Sequence, residues 1–155
     1  MSRAFVREDD TAAGPTLPER PISPHPNFVT PAGEQLIDQR LNELQSARLL
    51  ARERGETEAL AGLERELRYW RARRASARVI APTARPQTVR FGVTVALRFD
   101  DGAQRRFQLV GEDEADPAQG LVSWTSPVGN ALIGRVPGDA VTVLGRKAVI
   151  ESLHA

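Results

Sequence analysis

Between residues 30 and 80 the apolar positions recur every three or four residues, and after residue 88 they recur every two. The first series runs Ile37, Leu41, Leu44, Arg48 and Ala51. The second runs Leu60, Leu63, Leu67, Trp70, Arg74 and Ala77, with Gly55 between the two. Both carry the alternating spacing of a coiled-coil seam, which puts one stripe of each helix against a neighbour. The stripes also fit each other. In an antiparallel hairpin, facing residues share one sum of residue numbers. Ala51 with Leu60, Arg48 with Leu63, Leu44 with Leu67, Leu41 with Trp70 and Ile37 with Arg74 all give 111. One continuous helix has no reason to obey that relation, and it would carry Gly55 at a cost of about 1 kcal/mol. The pattern predicts a helical hairpin over residues 30–80, with its tip at residues 55–56. Arms of about 24 residues would reach ~36 Å at 1.5 Å per residue. Thr30 as N-cap, Pro31 at the first helical position and Glu34 near the positive end of the dipole mark its start. Arg48 and Arg74, on the seam, should lead their charges out past apolar stems, and Tyr69 and Trp70 should serve packing.

From Val89 to Phe99 every odd position is large and apolar, the mark of a half-buried strand. Asp100-Asp101-Gly102 is a turn, "RRFQLVG" returns as a second strand, and "LVSWT" is a third. Ser126 as N-cap and Pro127 in the first turn open a short helix that Gly134 closes. Pro137-Gly138 then leads into a final hairpin of "AVTVL" and "KAVIESL". The expected fold class is α+β: an antiparallel helical hairpin, a Pro-containing linker over 81–88, and a small antiparallel sheet domain with one short helix over 89–155. Residues 1–29 hold four prolines between positions 18 and 26, which excludes helix there. They are expected to form an extended, flexible arm, and His25 among those prolines reads as a plain exposed histidine.

Composition acts mainly by exclusion. No apolar run approaches the ~18 residues that a bilayer span needs. The opening "MSRAFVREDDTAAGPTLPER" lacks the basic start and apolar core of a signal peptide. Zero cysteines exclude disulfides and thiolate metal sites, which fits a cytoplasmic location. A net charge of +1 gives no reason to expect binding to bulk nucleic acid or to a specific DNA sequence. Arg71, Arg73, Arg74 and Arg78 form a basic stretch near the hairpin base and read as a solvated face.

Several motifs together resemble one family. They are the "VRFGVTV" strand, "VGEDEAD" from Val110 to Asp116, "SPVGNALIG" from Ser126 to Gly134, and the "GDAVTV" strand. "VTPAGEQL" before the hairpin matches the entrance to its first helix. In this order and spacing, across roughly residues 27–153, they resemble the Gre transcription elongation factors, GreA and GreB. The resemblance implies an FKBP-like sheet domain behind a coiled-coil hairpin, and a partner in bacterial RNA polymerase at the rim of its secondary channel. Nucleic acid would be met only through that complex. It also implies that acids at the hairpin tip help to hold a magnesium ion in the polymerase active site, so that the chemistry belongs to the polymerase and the factor is no enzyme. No cofactor and no metal of its own are expected.

The tip departs from the family pattern, Gly-Asp-x-x-Glu-Asn, whose acids stand three residues apart on one helix face. Here Gly55-Glu56-Thr57-Glu58-Ala59 supplies Glu56 at the first position and Ala59 at the second. Glu58 would lie ~200° round a helix from Glu56. The arms also look about two turns shorter than the family's. Glu53, Glu56 and Glu58 are therefore candidates for an electrostatic role at the tip, for magnesium ligation, or for nothing more than favourable charge at a helix start. Within the motifs that match, Asp113, Glu114, Asp116, Ser126 and Pro127 are the candidate polymerase contacts. The expected function is a channel-binding regulator of elongation that does not stimulate transcript cleavage efficiently. The alternatives are a genuine cleavage factor using the tip glutamates, or a peptidyl-prolyl isomerase suggested by the FKBP-like fold alone.

Overall fold

The computed structural model describes residues 17–155. Helices α1 (Pro31–Glu53) and α2 (Thr57–Ser76) are the two arms of the hairpin. Thr30 caps α1, its Oγ1 accepting from the N–H of Gly33 at 3.0 Å, and Pro31 takes the first helical position. Cross-arm ion pairs reproduce the register read from the seam. Arg74 meets Asp38 at 2.7 Å and Glu34 at 3.0 Å, and Arg48 meets Glu64 at 3.3 Å. Both seam arginines thus place their charges on carboxylates of the opposite arm. At the base of the hairpin Ile37 and Trp70 are buried together with Val29, and Leu41 and Leu44 flank them. Among the described residues no helix is long and apolar enough to cross a membrane.

Two short strands close the base. β1 (Phe28–Val29) runs parallel to β2 (Arg78–Val79), with Val29 opposite Val79. The described half of the arm, residues 17–29, is extended around its prolines, as expected there, and is bonded to the rest of the chain. Arg20 pairs with Glu66 at 2.9 Å and Glu19 with Arg68 at 2.6 Å. Residues 1–16 of the expected arm lie outside the described residues.

Five strands make the second part: β3 (Thr94–Phe99), β4 (Gln104–Val110), β5 (Leu121–Ser123), β6 (Ala140–Val143) and β7 (Arg146–His154), in the spatial order β5-β4-β3-β7-β6. The alternation expected along β3 is present, with Val95, Leu97 and Phe99 all buried. Two features differ from the expectation. The strand starts at Thr94 rather than Val89, because Phe91-Gly92 forms a turn with Gly92 at φ 85°. Val89 instead exchanges hydrogen bonds with Arg135 and Gly134 at 2.8 and 2.9 Å, and its side chain still enters the core. The sheet is also mixed rather than wholly antiparallel, since β5 pairs with β4 in parallel, Leu109 opposite Val122. Alternation tells which face a side chain takes, and it is silent about strand direction. Two 3-10 turns, Glu112–Glu114 and Pro117–Gln119, carry the chain back to make that parallel pair.

Helix α3 (Pro127–Leu132) covers the inner face and sends Leu132 into the core. Ser126 caps it, accepting from the N–H of Gly129 at 3.1 Å and donating to the carbonyl of Ser123 at 2.7 Å. A Cβ on Gly129 would stand 2.5 Å from that same carbonyl, so the helix can lie this close only with glycine there.

Candidate functional site

The tip is a three-residue turn. Arg54 ends α1, Gly55 adopts φ 65°, and Glu56 is the N-cap of α2 with φ −81° and ψ 78°. Its backbone N–H donates to Ala51 at 3.0 Å and its carbonyl accepts from Leu60 at 2.9 Å, so backbone alone closes the turn. The Glu56 side chain makes no capping bond and lies 4.0 Å from the guanidinium of Arg54. Glu58 sits in the first turn of α2, where the dipole favours an acid. Glu53 is the last residue of α1, at the end where it does not. All three are exposed. Glu56 stands outside the helix, so the ~200° separation that holds within a helix does not fix its direction. Among the described residues no group of three or more His, Asp or Glu is arranged to hold a metal ion.

The acids after β4 have a different place from the one expected. Asp113 is half-buried and Glu114 is buried, and both are bonded within the chain. Glu114 is buried and accepts from the backbone N–H of Thr30 at 3.0 Å, from that of Gly111 at 2.9 Å, and from the Thr30 hydroxyl. One carboxylate therefore joins the start of α1 to the sheet domain. Gly33 makes room for it: a Cβ there would stand 2.2 Å from the Glu114 carboxyl carbon. Asp113 accepts from Nε of Arg73 and from the Tyr69 hydroxyl, each at 2.5 Å. Burial, the bond to Asp113 and the charge of Asp113 push the Tyr69 phenol up to about 12.

Arg73 is the centre of this joint. Although it belongs to a stretch that reads as a solvated face, only 1% of it is exposed. It also donates to Asn27 Oδ1 at 2.7 Å and lies 3.6 Å from Glu112. A charge buried this deeply is tolerated only with such a complete set of partners. Sequence reasoning missed Arg73, Tyr69 and Asn27. The available signal was Tyr69 and Arg73 four residues apart on α2, one face round from the seam, together with three consecutive acids at 112–114.

The remaining candidates lie near the surface. Pro127 is exposed, Ser126 and Asp116 are half-buried, and Asp116 exchanges backbone bonds with Leu121 at 2.9 and 3.1 Å. Two residues before Ser126, the Trp124 ring lies 5.2 Å from that of Phe28 and 5.8 Å from that of His25.

An antiparallel helical probe with an acidic turn at its end, fastened at its base to a mixed-sheet platform, defines a two-part class of factor. Residues 84–151 match the family described as "Transcription elongation factor, GreA/GreB, C-term". The chain is 34% identical over 134 residues to transcription elongation factor GreA of Desulfovibrio desulfuricans, covering 74% of this chain and 83% of that protein. It is 32% identical over 142 residues to GreB of Neisseria meningitidis serogroup B, covering 76% and 84%. The chain belongs to the GreA/GreB family of transcription elongation factors. The crystal structure of GreA factor homolog 1 from Thermus thermophilus aligns with 84% of this chain and 100% of its own, at 19% identity and a TM-score of 0.41.

Proposed function

We propose that this chain is a cytoplasmic regulator that binds bacterial RNA polymerase at the rim of its secondary channel. The sheet domain grips through the edge that carries Asp116, Ser126 and Pro127, and the hairpin presents its tip to the channel. The chain is not itself an enzyme, and it stimulates transcript cleavage poorly. Family membership supports the partner. The observation that carries the poor cleavage is the tip itself, where Ala59 occupies the place of the family's second acid. Lending ligands to a polymerase-bound magnesium requires carboxylates that converge on one ion at ~2.1 Å. Here one acid stands at the N-cap position of α2 without a capping bond, one follows it by two residues, and the third closes the opposite arm.

The test is RNA cleavage in a stalled, backtracked polymerase complex, with and without the protein and with the Glu56→Ala, Glu58→Ala double variant. The expected result is little stimulation by either form, while both compete with GreA for the polymerase. A second reading, that of a true cleavage factor, has one observation in its favour: Glu56 stands outside the helix and is free to turn toward Glu58. Strong cleavage that disappears in the double variant would establish that reading and overturn the first.

A further inference from the structure

Residues 19–26 lie outside the span that resembles the Gre family, and neither the hairpin nor the sheet needs them for its own core. Yet they touch both. On α2, the Arg20 guanidinium lies 3.7 Å from the centre of the Tyr69 ring and pairs with Glu66 at 2.9 Å. Beside it, Glu19 accepts from Nε and Nη2 of Arg68 at 2.6 to 3.0 Å. On the sheet domain, the Ser23 hydroxyl donates to Glu112 at 2.9 Å, and His25 meets the Trp124 ring edge-on. The segment ends at Asn27, 5% exposed, whose amide donates to the Arg73 carbonyl at 2.8 Å and to Ser76 at 3.1 Å. Its Oδ1 accepts from the same arginine that holds Asp113.

The linker between the two parts, residues 81–88, contains no helix or strand and is mostly exposed. The angle between hairpin and sheet domain therefore depends on non-covalent contacts at the joint. That angle matters because the hairpin is a lever. Over the 23 residues of α1, 10° of play at the base moves the tip by about 6 Å, at 1.5 Å of rise per residue.

We infer that residues 19–27 act as a strap that fixes the angle of the hairpin against the sheet domain, with Arg20 on α2 and Ser23 on the Glu112 loop as its two attachments and Asn27 as its buried end. The individual attachments are weak, since exposed ion pairs contribute little alone. They act on both sides of one pivot, and their effect is on the breadth of angles sampled more than on whether either part is folded. The cation over the Tyr69 ring adds an attraction that a carboxylate partner alone would not supply.

The chain has no cysteine, so two can be introduced for spin labels, one at the tip (Arg54→Cys) and one on the sheet domain (Lys147→Cys). Pulsed dipolar spectroscopy of the full chain then reads the distribution of distances between them. The expected result is one narrow distribution that broadens when Arg20→Ala and Ser23→Ala are added. A control pair, Arg40→Ala with Glu43→Ala, removes an exposed ion pair within α1 and should leave it narrow. A parent distribution that is already broad, a strap variant as narrow as the parent, or equal broadening by the control would each overturn the inference. Circular dichroism of each variant establishes that helix and sheet remain folded. Should the double variant unfold, Arg20→Ala alone gives the same reading, because Arg20 is a partly exposed side chain outside both cores.

Discussion

In the sheet domain Val93, Val95, Leu97, Phe107 and Leu109 are each 2% exposed or less, and they belong to one continuous cluster. The hairpin buries Ile37, Ala51, Leu67 and Trp70 along its seam, while Leu41, Leu44, Leu60 and Leu63 stay half-exposed. Geometry explains the contrast. A curled sheet covered by a helix encloses an interior, whereas two helices side by side can shelter only the line between them. Hydrophobic stabilisation grows with the apolar area removed from water, at about 25 cal/mol per Å². The outer half of the hairpin therefore rests on a narrow seam and on cross-arm ion pairs such as Arg48 with Glu64. Its base is different again, because Arg73 and Glu114 fix it to the sheet domain through buried charged groups. The molecule is a firm platform, a joint built on buried charged groups, and a lightly held probe.

The largest effect should come from the platform. Leu97→Ala removes a fully buried side chain and should cost about 2–5 kcal/mol in chemical denaturation. Arg48→Ala removes an ion pair whose partners are 28% and 37% exposed, and should cost ~0–1 kcal/mol. Equal losses for the two would mean that ion pairing holds the probe as firmly as burial holds the platform, and the contrast would fail.

Two glycines sharpen the difference between joint and probe. Gly33→Ala drives a Cβ into the Glu114 carboxylate, which three hydrogen bonds hold in place. Overpacking of that kind costs about 1–3 kcal/mol, against at most ~1 kcal/mol returned by better helix propensity. Gly62→Ala meets nothing within 4 Å and should stabilise α2 by about 0.4–1 kcal/mol. The pair should thus shift the melting temperature in opposite directions. A rise for both would show that the Glu114 contact is dispensable.

Much of this architecture is legible in the order of residues alone. The constant sum along the seam predicts the hairpin and its register, because facing positions in an antiparallel pair are fixed by counting. Strand alternation identifies the inward residues of β3, and Ser126-Pro127 marks the start of α3. Each of these signals is local or obeys a simple symmetry. The joint is neither. Apart from the four-residue spacing from Tyr69, nothing in the local pattern distinguishes Arg73, which is buried against Asp113, from Arg71, which is exposed. The difference depends on where a loop forty residues away comes to rest. The same holds for Asp113 and Glu114, which look like surface acids until Thr30, Gly111 and Arg73 are brought to them. β5 runs parallel for a similar reason, since its direction is set by the path of two 3-10 turns rather than by its own three residues. The tip stays legible as sequence because it is exposed and touches little beyond itself.

The smallest effect reads the joint directly. Tyr69 is the single tyrosine of the chain, so the ultraviolet absorbance of tyrosinate reports on this site alone. Its hydroxyl donates to Asp113, and its ring has Trp70 edge-on at 5.3 Å and the Arg20 guanidinium at 3.7 Å. Burial and the neighbouring carboxylate both oppose formation of the phenolate, outweighing the pull of Arg20 and Arg73, and raise the phenol from its ordinary 10 to about 12. A folded-state pKa raised above the unfolded value favours the protonated form in the folded state. Its contribution to stability is complete below about pH 10 and is lost as the pH climbs from there towards 12. The stability difference between the parent chain and Tyr69→Phe should therefore shrink across that window. Asp113→Asn removes the negative charge beside the phenol and should bring the absorbance midpoint down towards the ordinary value. An unshifted midpoint in the parent chain would mean that water reaches the phenol freely, and that hairpin and platform are not clamped together at Asp113 in solution.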